Sequence, residues 1–310
     1  MCRSIHLARI PLLNMTSLDR MLQKVSSVHP VHLWHAYVPV WEPNTHTQEF
    51  YMPMVTTSYD DHVGTILFNN AETRNSLSNA LLDELISAFQ ECTERKVRVI
   101  ILRAERGVKV WSSGFDISEL PVSGRDPLSY NDPLEQALRE IQKIPAPVIA
   151  MIEGSVWGGA CDLAFICDLT VGCPSASFAI TPAKIGVPYN ASGIMHFLNV
   201  VGPRIAREMF YTAKPIAADR AFQVGILNYL VPAEELEAFT QNLAHQIAEN
   251  SPLAISVIKE QLRLLANSHP LNPDTFERMQ GLRRKAYDSA DYREGKTAFL
   301  EKRKPHFEGK

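Results

Sequence analysis

Residues 151–162, MIEGSVWGGACD, pass from an apolar run through EGS into two adjacent glycines, Gly158 and Gly159, and on into a second apolar segment. A chain entering a helix there presents backbone N–H groups that have no intrahelical acceptor. The positive end of the helix dipole points the same way, and without a Cβ an oxygen can reach the N–H of Gly159. A second stretch, WSSGFDISEL (111–120), offers exposed backbone around Ser113 and Gly114, with Asp116 placed to tie down the turn. The N–H of Phe115 is then a second donor. Two such groups converging on one point form an oxyanion hole for charge developing on a carbonyl oxygen, and one donor is worth about 2.7–4 kcal/mol. Tight packing of a helix on a sheet would ask for the same glycines.

Those donors need strands and helices to hold them. HVGTILFN (62–69) alternates as a strand does, and SNALLDELISAFQEC (78–92) places Leu81, Leu82, Leu85, Ile86 and Phe89 at helical spacing. VRVIILRA (97–104) is a continuous apolar run, as in a strand covered on both faces. A Gly/Ser/Pro-containing loop extends through residue 133, a helix ends at PAP (145–147), and VIAMIEG forms a strand leading to the two glycines. Gly159–Cys167 is apolar all round and predicts a buried helix. DLTVGC and ASFAIT predict further strands, and helices follow near 233–249, 252–268, 272–286 and 289–300. Strands alternating with helices, then helices alone, imply an α/β core with a helical C-terminal part. No sequence repeat is visible.

The chain has 310 residues, 31 basic and 34 acidic side chains and a net charge of −3, so charge supplies no reason to expect nucleic acid or an anionic membrane as partner. The five cysteines form no CxxC pair, which argues for a reducing, cytoplasmic setting rather than a disulfide framework. No apolar run approaches the roughly 20 residues that span a bilayer. Residues 1–53 lack periodicity and read as a poorly ordered extension. Their basic start faintly suits an organellar presequence, and a start at Met52 or Met54 is the plainer expectation. His29, His32, His35 and His46 share no metal-ligand spacing, so no metal is expected.

FNNAETRNSLS, WSSGFDI, VIAMIEGSVWGGACDLAFICDL and SFAITPAKIGVPYNASG, in that order, and the ending EGKTAFLEKRKPHF resemble the crotonase (enoyl-CoA hydratase/isomerase) family from Met54 to about Phe307. The resemblance implies an α/β fold, a spiral of repeated β-β-α turns with a helical C-terminal region. It implies a core over 54–250 holding the acyl-CoA site, and a helical region over 251–310 for trimerisation and CoA binding. It also implies an acyl-CoA thioester substrate and a homotrimer or hexamer.

Hydratases of this family resemble one another in two glutamates. Here Asp162 stands at the first place and Ala183, after Pro182, at the second, so the acid/base pair for hydration is incomplete. EGSVWGGA, GRDPLSYNDPLEQ, ITPAKIGVPYN and the C-terminal ending resemble instead the members that decarboxylate methylmalonyl-CoA to propionyl-CoA without biotin or metal. Coenzyme A is then part of the substrate and no separate cofactor is expected. Loss of CO2 leaves an enolate directly, with no base needed at carbon. The resemblance assigns the thioester oxygen to the N–H groups of Phe115 and Gly159 and the substrate carboxylate to Tyr189, with Thr181 nearby. Asp162 becomes a polar contact or proton relay. Ser113, Gly114, Phe115, Asp116 and Ile117 run along the pantetheine and adenine, Lys302 meets the CoA phosphates, Phe299 flanks the adenine, and Arg74 is a further phosphate candidate. Two positions depart from those members, which have histidine at Phe115 and glutamate at Asp162. Competing expectations are a hydratase or isomerase working through Asp162, and a non-catalytic CoA- or RNA-binding relative.

Overall fold

A computed structural model describes residues 52–121, 129–268 and 272–309. The expectations for the N-terminal extension, its histidines included, lie outside the described residues save for its last two positions. Residues Tyr51–Lys310 form one compact unit.

The described residues begin with an antiparallel pair, β1 (Val55–Asp60) and β2 (Val63–Phe68), followed by α1 (Asn79–Glu94). Ser78 caps α1 by accepting the Leu81 N–H, as serine at an N-cap does. Next come β3 (Val99–Ala104), β4 (Val110–Ser112), α2 (Pro133–Lys143), β5 (Val148–Ile152), β6 (Ser155–Trp157) and α3 (Gly159–Ile166). β7 (Leu169–Gly172), β8 (Ser177–Ala179) and α4 (Ala191–Thr212) complete the alternation. β9 (Ile216–Ala217), α5 (Ala218–Gln223) and β10 (Tyr229–Leu230) lead to α6 (Leu236–Ala248), α7 (Pro252–Ala266), α8 (Pro273–Tyr287) and α9 (Ala290–Leu300).

Two sheets result. One has the order β1-β2-β3-β5-β7-β10 and the other β4-β6-β8-β9. Each pair β3/β4, β5/β6 and β7/β8 sends its first strand to the larger sheet and its second to the smaller before a helix begins. This is the spiral of β-β-α turns that the resemblance implied. The larger sheet is covered on both faces, and strand alternation sorts the side chains. Ile100, Leu102 and Ala150 enter the main core with α1 and α2, while Val99, Ile101, Ile149 and Met151 pack under α6. All six residues of β3 are buried, which is why its sequence shows no alternation.

One local expectation is corrected. The strand VIAMI does not itself run into Gly158. Gly154, at φ +86°, turns the chain with its Cα against the Lys109 backbone, where a Cβ would sit 2.7 Å from the carbonyl carbon. SVW then forms a separate strand in the smaller sheet, paired with β4 and β8. The C-terminal helices begin and end within three residues of their expected positions.

Candidate active site

Phe115 and Leu77 form an isolated parallel bridge. The Leu77 N–H bonds the Gly114 carbonyl at 2.9 Å, and the Asp116 N–H bonds the Leu77 carbonyl at 3.2 Å. Phe115 lies between those two bonds, so its own N–H points away from Leu77. On the next layer the Gly158 N–H bonds the Ala179 carbonyl at 2.8 Å. Gly158 turns the chain at φ 51° and ψ −123°, and Gly159 opens α3, where the first N–H groups have no intrahelical acceptor. Among the described residues neither the Phe115 nor the Gly159 N–H has a protein acceptor. A Cβ built on Gly159 would lie 3.6 Å from the Phe115 nitrogen. With about 2.5 Å from that Cβ position to its own nitrogen, the two amides are within about 6 Å, the span one oxygen can bridge with two ordinary hydrogen bonds.

The loop before α1 holds this geometry. Arg74 and Asn75 both take left-handed backbone angles, with φ of 59° and 50°. The buried Asn75 side chain donates to the Trp111 carbonyl at 2.9 Å, and the Ser112 hydroxyl donates to the Asn75 carbonyl at 2.6 Å. Ser112 in turn accepts from the Gly114 N–H at 3.2 Å. Trp111 is fully buried, edge-on to Phe68, and its indole N–H reaches the Met151 carbonyl. Asp116 accepts from the N–H and hydroxyl of Ser118, at 2.9 and 2.7 Å, tying the turn down as its position predicted.

Around the donors lies a cleft walled by Ser113, Phe115 and Ile117 on one side and by Thr181, Ile185, Val187 and Tyr189 on the other. The C-terminal helix braces both walls. Lys296 donates to the Leu120 carbonyl, Tyr292 donates to the Pro121 carbonyl at 2.7 Å, and Gly295 packs against the backbone of Ile185.

The cleft wall also carries ionisable groups. Asp162 is buried on α3 and receives His196 Nδ1–H of α4 at 2.6 Å. Burial pulls the His196 pKa down, but the Asp162 charge and hydrogen bond outweigh it and leave the imidazole above its ordinary value. Glu135, at the first turn of α2, accepts from Asn190 Nδ2 and from the Ser192 hydroxyl at 3.2 Å. Burial, reinforced by the Asp162 charge, raises its pKa. Tyr189 stands edge-on to Phe197 and Phe210, with ring centroids 5.7 and 5.1 Å away. Burial and the charge of Asp162 hold its phenol neutral far into the alkaline range.

The enoyl-CoA hydratase/isomerase family model matches residues 59–310. The chain belongs to this family. It is 52% identical to methylmalonyl-CoA decarboxylase of Escherichia coli over 247 residues, 80% of this chain and 95% of that protein. It is 31% identical to the mitochondrial enoyl-CoA hydratase of Pongo abelii over 277 residues, 87% and 92% of the two chains. A solved structure of methylmalonyl-CoA decarboxylase in complex with 2-nitronate-propionyl-CoA superposes with a TM-score of 0.82 at 50% identity, covering 83% of this chain and 99% of that one.

Within this crotonase-family chain the structure brings Ser113, Phe115, Ile117, Gly159, Asp162, Thr181 and Tyr189 to one cleft. Gly114 lies behind the donors, and Asp116 is spent on its turn. Arg74 sits at the rim, its carbonyl accepting the Ser113 N–H at 2.9 Å. Phe299 and Lys302 are exposed at the end of α9 and do not line the cleft of their own chain. Ala183 is exposed, and its side of the turn faces away from the cleft. Glu135, Asn190, Ser192 and His196 went unrecognised in the sequence. A signal existed: Asn190, Ser192 and His196 follow Tyr189 closely, and Glu135 interrupts the apolar stripe of Leu134, Ala137, Leu138 and Ile141. Periodicity reads such residues as helix edges, because nothing local says that two helices will meet there.

Proposed function

We propose that this chain decarboxylates methylmalonyl-CoA to propionyl-CoA and CO2. The observation that carries the reading is its 52% identity across 95% of an enzyme of that name, and the cleft geometry supplies a matching chemistry. The thioester oxygen accepts from the N–H groups of Phe115 and Gly159. Both donors are fixed by the backbone before substrate arrives, so they stabilise the developing charge without reorganising. The neutral Tyr189 hydroxyl donates to the substrate carboxylate and turns it out of the thioester plane. The carbon–carbon bond then overlaps the carbonyl π system as it breaks. Its electron pair becomes the enolate, and CO2 leaves. Such a step asks for neither metal nor biotin. The apolar walls at Ile117, Ile185 and Val187 favour loss of the carboxylate charge.

Binding of the rest of the thioester follows the chain's edges. Ser113–Ile117 offer main-chain groups to the pantetheine, with Arg74 at the rim for a phosphate. Phe299 and Lys302 project from the end of α9, which suits a role in the CoA site of an adjoining copy. Association is supported by α7 and α8, which expose Leu253, Ile258, Leu262, Leu265, Phe276 and Leu282 in the single chain. A homotrimer or a pair of trimers would cover them, and light scattering of the purified protein tests this. The four described cysteines are free and buried, in keeping with a cytoplasmic, reducing setting. Among the described residues no helix is long and apolar enough to cross a membrane.

The deciding experiment is incubation of the purified protein with methylmalonyl-CoA and measurement of CO2 and propionyl-CoA. Formation of both is expected. No product at high enzyme concentration, or hydration of crotonyl-CoA faster than decarboxylation, overturns the reading.

A further inference from the structure

Decarboxylation leaves an enolate that still needs a proton at its α-carbon. The oxyanion donors are amides and keep theirs. Tyr189 is given to the carboxylate that departs, its ring fixed against Phe197 and Phe210, and Asp162 is engaged by the His196 N–H at 2.6 Å. One group on the cleft wall is left with the right placement. We propose that Glu135 is a further catalytic residue, the acid that delivers a proton to the α-carbon of the enolate; the proposal rests on the reaction put forward above.

The placement is set by α2. Leu134 approaches the oxyanion glycine so closely that its Cδ2 would be 3.1 Å from a Cβ on Gly159. Glu135 is the next residue, buried, and on the wall of the same cleft. Its carboxyl is steered from α4. Asn190 is pinned as the N-cap by accepting the Gly193 N–H at 2.8 Å, which leaves its amide nitrogen to donate to one carboxyl oxygen of Glu135. Ser192 meets the other oxygen at 3.2 Å. A serine hydroxyl can donate or accept, so it serves the carboxyl in either protonation state. The titratable groups facing Glu135 are Asp162 on α3, His196 on α4 and Tyr189 just before α4. Arg139, one turn along α2, stacks on Tyr130 instead, 3.7 Å from its ring centroid. Burial and the nearby Asp162 charge both favour the protonated carboxyl. Two carboxylates in one site are thereby given different tasks, one bound to an imidazole and one carrying a proton.

The step balances. The enolate double bond supplies the electron pair of the new carbon–hydrogen bond, the thioester carbonyl re-forms, and Glu135 is left as carboxylate. It regains a proton from water entering the cleft as products leave.

The test is run in deuterium oxide with the wild-type protein and Glu135→Gln. Wild type should give propionyl-CoA carrying deuterium in a single configuration at the α-carbon, and Glu135→Gln should give both configurations. A single configuration retained by Glu135→Gln, at any rate of turnover, overturns the proposal. A second measurement needs no variant. Wild type mixed with propionyl-CoA in deuterium oxide should exchange one α-hydrogen, through the reverse transfer to the Glu135 carboxylate. The exchange rate should rise with pH and level off once that carboxyl is ionised. No exchange above the rate in buffer overturns the assignment. Absence of CO2 release by wild type would sink the decarboxylase reading alone, since exchange on propionyl-CoA still reports on Glu135.

Discussion

Gly114 lies against the carbonyl oxygen of Trp157 so closely that a Cβ on it would overlap that oxygen, and the same Cβ would be 3.3 Å from the Gly159 nitrogen. This contact, made at a φ of +85°, sets the Phe115 amide opposite that of Gly159. Gly114→Ala should therefore push the two donors apart. Turnover should fall by about 100-fold or more, as on loss of an oxyanion donor. A fall of under about threefold in kcat, with the variant folded, would show that the two amides do not act together.

Tyr189→Phe removes only the hydroxyl and keeps the ring against Phe197 and Phe210. A hydrogen bond to a charged group is worth about 1.5–3 kcal/mol, so decarboxylation should slow roughly 10- to 100-fold. Affinity for a non-reactive CoA thioether should stay within about twofold, since the hydroxyl is distant from the CoA moiety in the proposed pose. Equal rates in the two proteins would remove Tyr189 from the reaction.

His196→Ala leaves Asp162 buried without its imidazole partner. Breaking such a pair from one side costs about 3–5 kcal/mol, visible as a lower urea midpoint. The pH dependence has a definite sign. The folded-state pKa of His196 is raised, so its contribution is complete below the ordinary imidazole value of about 6.5 and is lost as pH climbs through the raised value. The wild-type midpoint should drop across that window, and the variant should lack this component. Parallel pH curves for the two proteins would contradict the assignment.

Lys259 anchors α7 through a single ammonium group. It donates to the Ile141 and Ala146 carbonyls, each at 3.0 Å, and to Asp168 at 2.7 Å. Lys259→Ala should cost about 2–4 kcal/mol, because two carbonyls and a carboxylate lose a buried donor. It should also weaken self-association, which depends on how α7 presents its apolar residues. Denaturation and light scattering on the same sample check both effects. An unchanged midpoint would mean that α7 is held by packing alone.

Lys302→Ala should raise the dissociation constant for the CoA thioether and leave turnover at saturating substrate nearly unchanged. The opposite split, with kcat falling at constant affinity, would place Lys302 in the chemistry rather than at the phosphates.

Much of this was already written in local sequence. Burial of β3 and β5 follows from VIILRA and VIAMI, and the helices from their apolar spacing, because these patterns act over a few residues. The need for bare backbone at Gly158 and Gly159 was legible too: Gly158 takes a φ of +51°, and a Cβ on Gly159 would crowd Leu134 at 3.1 Å. The strand SVW was missed because three residues carry no period; Gly154 and its contact with Lys109 decide where that strand begins.

Other features exist only through folding. The convergence of Phe115 and Gly159 depends on the Leu77 bridge and on the hydrogen bond from the Gly158 N–H to the Ala179 carbonyl, contacts between segments far apart in the chain. The pairing of Asp162 with His196, and the meeting of Glu135 with Asn190 and Ser192, are likewise made across helices. Residue types announce which groups can donate, accept or carry charge. Which of them share one desolvated space, and so shift one another's proton affinity, depends on distance and dielectric, and these arise only when the helices pack.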